Sequence, residues 1–295
     1  MKPVLFHLFG YAVPSFAVFF ALGTMFCFIW GFHEARRVGI DPNKTMEAGL
    51  WIFVGMVIGS RVFSLMFEPE AYRGDPLRFF RLWEGGMVLY GGAAGYIIAS
   101  IIVIKIMKLP LGEMADVVTQ AGILGAAIGR VGCIFAGCCY GRPSEAAWCM
   151  RYTDPTSPAF QMVGNQCLYP APVYSALWLL ANFLFLVWLS RRKSFPGQVA
   201  WSFYIVYPVG RFIIEFYRGD PRGFVSEPVF SRIFAPLLKD QTYTEPLGGF
   251  YLAPYLSTSQ FLSIIVFTGA LIGYIISKRR ARKRLLQSGN NRDIS

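Results

Sequence analysis

Long runs of apolar residues recur along the chain, and polar or glycine-rich segments separate them. Each run is continuously apolar over about 20 residues and lacks the alternation of a barrel strand, which is the pattern of a transmembrane helix. Seven spans are predicted in this way: Tyr11–Trp30, Met46–Phe67, Gly86–Met107, Met114–Phe135, Ala171–Leu189, Gln198–Tyr217 and Tyr255–Ile276. The pattern predicts an all-α integral membrane protein with seven transmembrane helices, in which residues 1–295 form a single polytopic membrane domain.

The composition agrees with this prediction. Of the 295 residues, 55% are hydrophobic and only 15% are charged, and the mean hydropathy is +0.45. A net charge of +11 can indicate a nucleic-acid partner, but here the basic residues lie in the loops between spans and near the end of the chain. Contact with anionic membrane lipid explains the excess charge, and no nucleic-acid partner is expected.

The basic residues follow the first, third, fifth and seventh predicted spans. They are Arg36, Arg37, Lys44, Lys105, Lys108, Arg191, Arg192, Lys193 and the cluster from Lys278 to Arg284. The positive-inside rule assigns this side to the cytoplasm. The N-terminus is then predicted outside and the C-terminus in the cytoplasm, where residues 278–295 form a basic tail.

An arginine stands near the end of the fourth predicted span, in the sequence Gly129-Arg130-Val131-Gly132. A guanidinium in hydrocarbon costs about 3 kcal/mol or more, so it usually faces a polar cavity or a ligand. The adjacent glycines allow a backbone or a ligand headgroup to approach closely. Arg130 is therefore predicted to be a positive charge in a pocket wall, suited to phosphate or carboxylate. The alternative, a pairing with a carboxylate that only holds the bundle together, stays open.

With this topology, polar or glycine-rich positions of four helices fall at the same depth, near the outer face. They are Arg61 in the second span, Gly85, Gly86, Tyr90, Gly91 and Gly92 in the third, Arg130 in the fourth, and Tyr207, Arg211 and Glu215 in the sixth. This coincidence predicts one site in the outer leaflet, open to the outer face and to lipid. Arg61 has an alternative, because it can reach the interface by snorkelling.

Arg211 and Glu215 are four residues apart, so they share a helix face and can pair. Two interpretations of this pair stay open. In the first, it is a self-neutralising salt bridge within the bundle. In the second, Glu215 orients Arg211 toward a substrate phosphate, and the two roles are compatible.

The six cysteines fall into three groups. They are Cys27 in the first span, Cys133, Cys138 and Cys139 in the central run, and Cys149 and Cys167 in the next outer loop. An oxidising outer compartment would permit a disulfide between the last two. The spacing in the central run is not that of usual zinc ligands, and both histidines are far from it in sequence, so no metal is predicted.

Five blocks of the sequence together resemble a known family. They are Gly59-Ser60-Arg61-Val62-Phe63; Trp83-Glu84-Gly85-Gly86-Met87-Val88-Leu89-Tyr90-Gly91-Gly92; Gly129-Arg130-Val131-Gly132 with Gly141; Tyr207 with Arg211-Phe212 and Glu215-Phe216-Tyr217-Arg218; and Leu256-Ser257 with Gln260-Phe261-Leu262-Ser263. In this order, across most of the chain, they are similar to the motifs of the prolipoprotein diacylglyceryl transferases of bacterial inner membranes. The predicted seven-helix topology also agrees with that family.

The resemblance implies a reaction as well as a fold. A diacylglyceryl group would move from phosphatidylglycerol to the thiol of the lipobox cysteine of a preprolipoprotein, forming a thioether and releasing glycerol phosphate. The protein would be a multi-pass protein of the bacterial inner membrane, with its active site toward the periplasmic leaflet. The family reaction requires no metal or organic cofactor.

The same resemblance implies roles for individual residues. Arg130 and Arg211 would stabilise the charge that develops on the leaving phosphate, and Tyr207 would hydrogen-bond the lipid or relay a proton. Tyr90 and Glu215 complete the predicted catalytic set. Substrate contacts are expected from Arg61, Gly91, Gly92, Cys133 and Gly141.

The sequence departs from the family pattern where the proton acceptor is expected. Tyr90 stands where the family usually has histidine, Cys133 where it has asparagine, and Cys138 where it has glutamate. Because tyrosine has a pKa of about 10, the base stays open between Tyr90, Glu215 and a thiol relay. Two other functions also stay open: a diverged paralogue with a different acceptor, and a protein that binds or transports phospholipid without chemistry.

Overall fold

The protein was analysed as a computed structural model, which describes residues 2–8, 10–67, 69–81, 88–219 and 258–290. Its α-helices are α1 Ser15–Val38, α2 Pro42–Phe67, α3 Leu89–Ile106, α4 Leu111–Ala136, α5 Pro158–Val163, α6 Ala171–Ser190, α7 Gln198–Glu215 and α8 Thr258–Asn290. Two short 3₁₀ helices, Pro69–Tyr72 and Pro76–Phe79, lie between α2 and α3. Two antiparallel strand pairs, which the hydropathy pattern did not predict, are β1 Val4–Leu8 with β2 Tyr11–Pro14, and β3 Met150–Arg151 with β4 Cys167–Leu168.

Five of the described helices are long and apolar enough to cross a membrane. They are Ser15–Val38, Pro42–Phe67, Leu111–Ala136, Ala171–Ser190 and Ser259–Arg284. The third predicted span corresponds to a shorter apolar helix, Gly91–Ile106. The sixth corresponds to α7, which contains Arg211 and Glu215 and is not one of these five helices. The prediction of a helical membrane protein is confirmed, and five of the seven spans are supported by length and composition.

Large apolar side chains cover the outside of these helices. Ile29 in α1, Trp51 in α2 and Leu177 in α6 are each more than half exposed. Polar side chains such as Asp116 and Asn182 are buried instead. A surface of this kind would associate in water but suits contact with acyl chains.

The first helix begins later than its apolar run. Residues 11–14 pair with β1, and Pro14 restricts the residue before it to an extended conformation. The helix therefore starts at Ser15, whose N–H donates to the Pro3 carbonyl at 2.8 Å. At its other end α1 continues past the apolar run to Val38, where Gly39, with a φ of 79°, ends it.

The chain divides into two compact units, residues 28–118 and residues 1–27 with 119–295. In the first unit α2 packs along α3. A Cβ at Gly59 would lie 2.5 Å from the Gly91 carbonyl oxygen and 2.7 Å from the Gly95 Cα. Small residues at these positions let two helix backbones touch, as is common in membranes. The Ser60 hydroxyl adds a hydrogen bond to the Val88 carbonyl at 3.1 Å.

In the second unit α7 packs against both α6 and α8. The Trp178 ring of α6 lies against Gly210 of α7, and the Trp201 ring of α7 lies against Gly273 of α8. Trp201 also donates from Nε1 to the Ser277 Oγ at 3.1 Å. Contacts between indole rings and glycines therefore fix the position of α7 between α6 and α8.

The segment after α4 forms a small ordered lobe of the second unit. Cys149 and Cys167 form the disulfide that the sequence analysis expected, with their Cα atoms 5.4 Å apart. The disulfide adjoins the β3–β4 pair. The buried core of the lobe consists of Tyr140, Tyr152, Ala159 and Leu168. Covalent and apolar contacts together hold the residues that follow α4.

Candidate functional site

A narrow pocket lies among α4, α6 and α7 in the second unit. Its lining residues are Arg130, Ser175, Trp178, Leu179, Tyr207, Arg211, Ile214 and Arg218. Three predicted catalytic residues, Arg130, Tyr207 and Arg211, are thus brought together from two helices. With Arg218, the pocket contains three guanidinium groups.

Arg218 is a lining residue that the sequence analysis did not select as a site residue. It follows α7, seven residues after Arg211, and a spacing of seven returns to the same helix side after two turns. The segment is held by backbone contacts, because Gly141 bridges to Arg218 and the Gly219 N–H donates to the Tyr140 carbonyl at 3.2 Å. The spacing from Arg211 was the signal that could have identified this residue.

The Arg211 side chain is held from two directions. Its Nη1 lies 2.5 Å from the Glu215 Oε2, one turn further along α7, and its Nη2 donates to the Ser259 Oγ of α8 at 2.9 Å. The two charged side chains are only 14% and 11% exposed, so solvent screens this ion pair weakly. The salt bridge predicted from the spacing is therefore present, and it fixes the direction of the guanidinium.

The position of Tyr207 depends on the helix contact behind it. The Trp178 Nε1 donates to the Tyr207 carbonyl at 3.3 Å, and its ring occupies the space that Gly210 leaves open. The Tyr207 ring stacks on Phe203, with the ring centroids 5.1 Å apart. These contacts hold Tyr207 at the wall of the pocket.

Three cysteine thiols gather beside Arg130 and are called here the thiol cluster. The Sγ atoms of Cys133, Cys138 and Cys139 all lie within 4.8 Å of one another. The Arg130 Nη1 donates to the Cys139 Sγ at 3.5 Å. The thiol cluster and the arginine pocket therefore share Arg130.

The end of α4 brings these thiols together. Gly137 has a φ of 71°, and the N–H groups of Gly137 and Cys138 both donate to the Cys133 carbonyl, at 3.1 and 3.2 Å. This helix-ending turn carries Cys138 and Cys139 back toward Cys133. Cys139 itself has a φ of 59°, a strained value for a residue with a Cβ.

The electrostatic environment of Cys139 favours its thiolate. Its pKa lies below the ordinary value because the Cys133 and Cys138 thiols hydrogen bond to it. Arg130 and Arg218 lower the pKa further through their positive charge, and burial opposes this effect. The negative charge favoured here faces the same guanidinium groups that line the pocket.

Gly141 lies where three segments meet. A Cβ there would collide with Tyr169 and lie 2.8 Å from the Tyr217 carbonyl oxygen. The Arg142 N–H donates to that same carbonyl at 3.0 Å, and the Tyr169 N–H donates to the Arg142 carbonyl at 2.9 Å. This predicted substrate contact therefore has a packing reason to be glycine.

Arg61, another predicted substrate contact, lies in the first unit. Its side chain is buried, its Nη2 donates to the Arg81 carbonyl at 2.6 Å, and its Nη1 donates to the Tyr72 hydroxyl at 3.4 Å. Arg61 thus ties α2 to the loop of the 3₁₀ helices. The Arg61 guanidinium therefore binds groups of the protein rather than solvent.

The other predicted site residues of the first unit lie in α3. Gly91 contacts the Gly59 backbone, and a Cβ at Gly92 would lie 3.7 Å from the Met56 Cγ. Gly91 therefore serves the close packing of α3 on α2, whereas a side chain at position 92 would make only ordinary van der Waals contacts. The Tyr90 backbone lies in the first turn of α3, but its side chain lies outside the described residues, as do residues 82–87 and 251–257.

The chemistry of the pocket follows from its three guanidinium groups. Planar forks of donors match the oxygens of phosphate, and the partial burial of these residues strengthens the electrostatic attraction of each guanidinium group. The fold defines a polytopic membrane protein, and the three guanidinium groups give its pocket a charge and a donor geometry that suit an anionic group. Such a group would belong to a lipid headgroup or to another ligand that reaches the membrane.

The comparison with known families agrees with this class. The family model described as prolipoprotein diacylglyceryl transferase matches residues 3–276. The chain belongs to this family, which confirms the resemblance found in the sequence blocks and the prediction of a transferase.

Curated relatives match over most of the chain. A protein named phosphatidylglycerol–prolipoprotein diacylglyceryl transferase 2, from Clostridium perfringens, is 28% identical over 284 residues, covering 96% of this chain and 98% of the relative. The phosphatidylglycerol–prolipoprotein diacylglyceryl transferase of Clostridium tetani is 31% identical over 227 residues, covering 77% of this chain and 89% of the relative.

Proposed function

We propose that this protein transfers the diacylglyceryl group of phosphatidylglycerol to the lipobox cysteine thiol of preprolipoproteins. The product is a thioether, and glycerol phosphate leaves. Membership of the family supports the proposal, as do the substrates that the names of its relatives contain. The structural observation that carries it is the meeting of Arg130, Arg211 and Arg218 in one pocket.

The reaction requires positive charge next to the phosphate oxygen that leaves. The acceptor sulfur attacks the carbon of the diacylglyceryl group that is bonded to the phosphate oxygen. The C–S bond forms as the C–O bond breaks, and the phosphate oxygen keeps the electron pair. Guanidinium groups that are already in position before the reaction stabilise the charge that develops on the phosphate more than they stabilise the intact lipid. We assign this task to Arg130 and Arg211, with Arg218 as a further phosphate contact.

Glu215 and Tyr207 both lie on α7, which forms one side of the pocket. The ion pair with Glu215 and the hydrogen bond to Ser259 direct Arg211, so Glu215 is a positioning residue for the phosphate. Tyr207 lines the pocket and can donate a hydrogen bond to the lipid. The acceptor thiol must lose its proton because the thiolate is the nucleophile.

The proposal includes a topology. Helices α3 and α7 complete the five candidate spans to seven, with the N-terminus outside. The exposed basic residues from Lys278 to Arg284 in α8 support a cytoplasmic C-terminal end. In the bacterial inner membrane, this arrangement would direct the site toward the periplasmic leaflet, where the lipobox peptide is presented. Tyr90 stays a predicted catalytic residue, and the predicted substrate contacts stay Arg61, Gly91, Gly92, Cys133 and Gly141.

A reconstituted reaction tests this function. The full chain in detergent is incubated with phosphatidylglycerol and a synthetic lipobox peptide, and mass spectrometry follows a diacylglyceryl adduct on the peptide cysteine. We expect the adduct from the natural protein and a loss of at least about 100-fold in Arg130→Ala and Arg211→Ala. Arg191→Ala, which alters an exposed arginine at the end of α6, is the matched control.

The negative results separate the other functions. Folded protein that binds phosphatidylglycerol but forms no adduct would contradict the transferase and favour a phospholipid-binding protein. An adduct on a different thiol or amine acceptor, with none on the lipobox peptide, would indicate a diverged paralogue.

A further inference from the structure

Beyond the substrate contact predicted for Cys133 and the thiol relay left open as the base, the thiol cluster has no assigned role in the transfer chemistry. Its three sulfur atoms lie within 4.8 Å of one another, and none of the three cysteines is in a disulfide. Cys133 is buried, whereas Cys138 and Cys139 are half-buried. One side of the cluster is therefore closed by protein, and the other can admit a further ligand.

The backbone holds the cluster from both sides. The Ala159 N–H donates to the Gly137 carbonyl at 3.0 Å, and the Gly219 N–H donates to the Tyr140 carbonyl at 3.2 Å. The turn that carries Cys138 and Cys139 is thus fixed between the lobe and the end of α7. A ligand set held in this way needs little reorganisation on binding, which is what a metal site requires.

We propose that Cys133, Cys138 and Cys139 are three ligands of a zinc ion, and that the thiolate of the acceptor cysteine is the fourth. Zinc binds thiolates at about 2.3 Å in a tetrahedron, so its sulfur ligands lie about 3.8 Å apart. Side-chain rotation can close the thiols from 4.8 Å to that distance. Three protein ligands and one open position are the pattern of a zinc ion that acts on a substrate.

The spacing of these cysteines along the sequence does not match a common zinc-binding motif. Cys133 lies on the last turn of α4, and Cys138 and Cys139 follow a glycine turn, so the set does not resemble the usual paired ligands of zinc proteins. No histidine is needed, because three thiolates and a substrate thiolate complete the tetrahedron.

The assignment of the fourth ligand rests on the proposed function. Coordination to zinc removes the proton of the acceptor thiol, which passes to solvent. The bound sulfur then supplies the electron pair for the C–S bond, and the phosphate oxygen leaves with the pair of the broken C–O bond. Zinc keeps its oxidation state, so no oxidant or reductant takes part.

The zinc site also agrees with the charges around it. Zinc with four thiolates carries two negative charges, and Arg130 and Arg218 both act electrostatically on Cys139. The two guanidinium groups offset this charge. Because Arg130 contacts Cys139 and also lines the pocket, the activated sulfur would lie beside the bound phosphate.

Metal analysis of the full-length protein tests the site without reference to activity. After purification in detergent with zinc and dialysis, elemental analysis should find about one zinc per chain. Mutation of a residue that only hydrogen-bonds to a metal ligand weakens metal binding by roughly 10–100-fold. We expect a larger loss of zinc affinity from each ligand variant: Cys133→Ser, Cys138→Ser and Cys139→Ser. Cys27→Ala, a free cysteine of α1, should keep the metal, and circular dichroism checks the fold of every variant.

Cobalt replacement tests the fourth ligand. Cobalt(II) in the site should show thiolate charge-transfer bands and visible bands of a tetrahedral ion. The lipobox peptide should shift the visible bands, and the same peptide with serine in place of its cysteine should not. Absence of the metal, a disulfide within the cluster, or equal spectra with both peptides would overturn the proposal.

The transfer reaction separates this proposal from the proposed function. Metal-free protein should lose about 100-fold or more in adduct formation and regain it with zinc. Full activity without metal would overturn the zinc site and leave the transferase intact. A peptide-dependent cobalt spectrum without any adduct would support the site and contradict the transferase.

Discussion

The Arg130 Nη1 lies 3.5 Å from the Cys139 Sγ, and this contact joins the arginine pocket to the thiol cluster. One guanidinium therefore faces both the Cys139 sulfur and the place where a phosphate would bind. Arginine can serve both because its five donors point along a planar fork. Lysine offers only a point charge on a flexible stem.

Arg130→Lys is therefore expected to lower adduct formation by roughly 100-fold, because the charge remains but the fork is lost. Mass spectrometry of the peptide adduct measures the effect, and titration with phosphatidylglycerol separates binding from turnover. Arg191→Lys is the matched control. An Arg130→Lys protein with nearly natural activity would argue against a direct clamp on the phosphate.

The ion pair of Arg211 and Glu215 makes a prediction about stability. Both side chains are mostly buried, so Arg211→Met leaves a buried carboxylate without its salt-bridge partner and should destabilise the protein by about 3–5 kcal/mol. Arg211→Met combined with Glu215→Met should restore most of that loss, because two apolar side chains replace the pair. Unfolding in detergent followed by fluorescence measures the change.

Activity distinguishes structure from function in the same variants. The double variant should remain inactive although it is stable, because the phosphate contact of Arg211 is missing. A double variant that is both stable and fully active would show that the pair only holds helices together.

The contact of α2 with α3 makes a prediction that concerns packing alone. Gly59→Ala places a methyl group against the backbone of Gly91 and Gly95, which cannot move without shifting α3. We expect a loss of about 1–3 kcal/mol in the free energy of unfolding. Gly269→Ala in α8, where a Cβ would meet nothing within 4 Å, is the control and should leave the stability nearly unchanged or raise it slightly. Equal effects at both positions would contradict the close backbone contact.

The disulfide of the lobe makes a separate prediction. Cys149 and Cys167 are 18 residues apart, and closing a loop of that length stabilises a fold by about 3 kcal/mol in the chain-entropy model. Cys149→Ser with Cys167→Ser should lower the thermal midpoint accordingly. The zinc content should not change, since these cysteines are not in the thiol cluster. Loss of zinc in this double variant would mean that the lobe, rather than the local turn, holds the cluster.

Much of the fold could be predicted from the order of apolar and polar residues. In hydrocarbon every backbone N–H and C=O must be satisfied within the segment, so a long apolar run has few alternatives to a helix. For this reason the prediction of helical spans holds for Ala171–Leu189, where the structure has Ala171–Ser190. The helix ends were less predictable: local signals such as Pro14 and Gly39 set the ends of α1, and α8 continues past its apolar run to Asn290.

The candidate site was predictable only in part. A charge inside an apolar run is conspicuous, so Arg130 and Arg211 stand out, and both line one pocket in the structure. Arg218 lies just beyond its helix, at the polar end of a span where charges are ordinary, and it was not selected. Arg61 stands out for the same reason as Arg130, yet it binds the Arg81 carbonyl and the Tyr72 hydroxyl.

The sequence by itself determined the membrane class, the family and the local pair of Arg211 with Glu215. Hydropathy, ordered motifs and helical spacing all depend only on the order of residues along the chain. Only the tertiary structure decided which arginines share a pocket, and that three cysteines with an unusual spacing form a cluster beside one of them. Such contacts depend on how a Trp178 ring seats on Gly210 and how Gly137 turns the chain after α4. They depend on packing in three dimensions, which spacing along the chain does not encode.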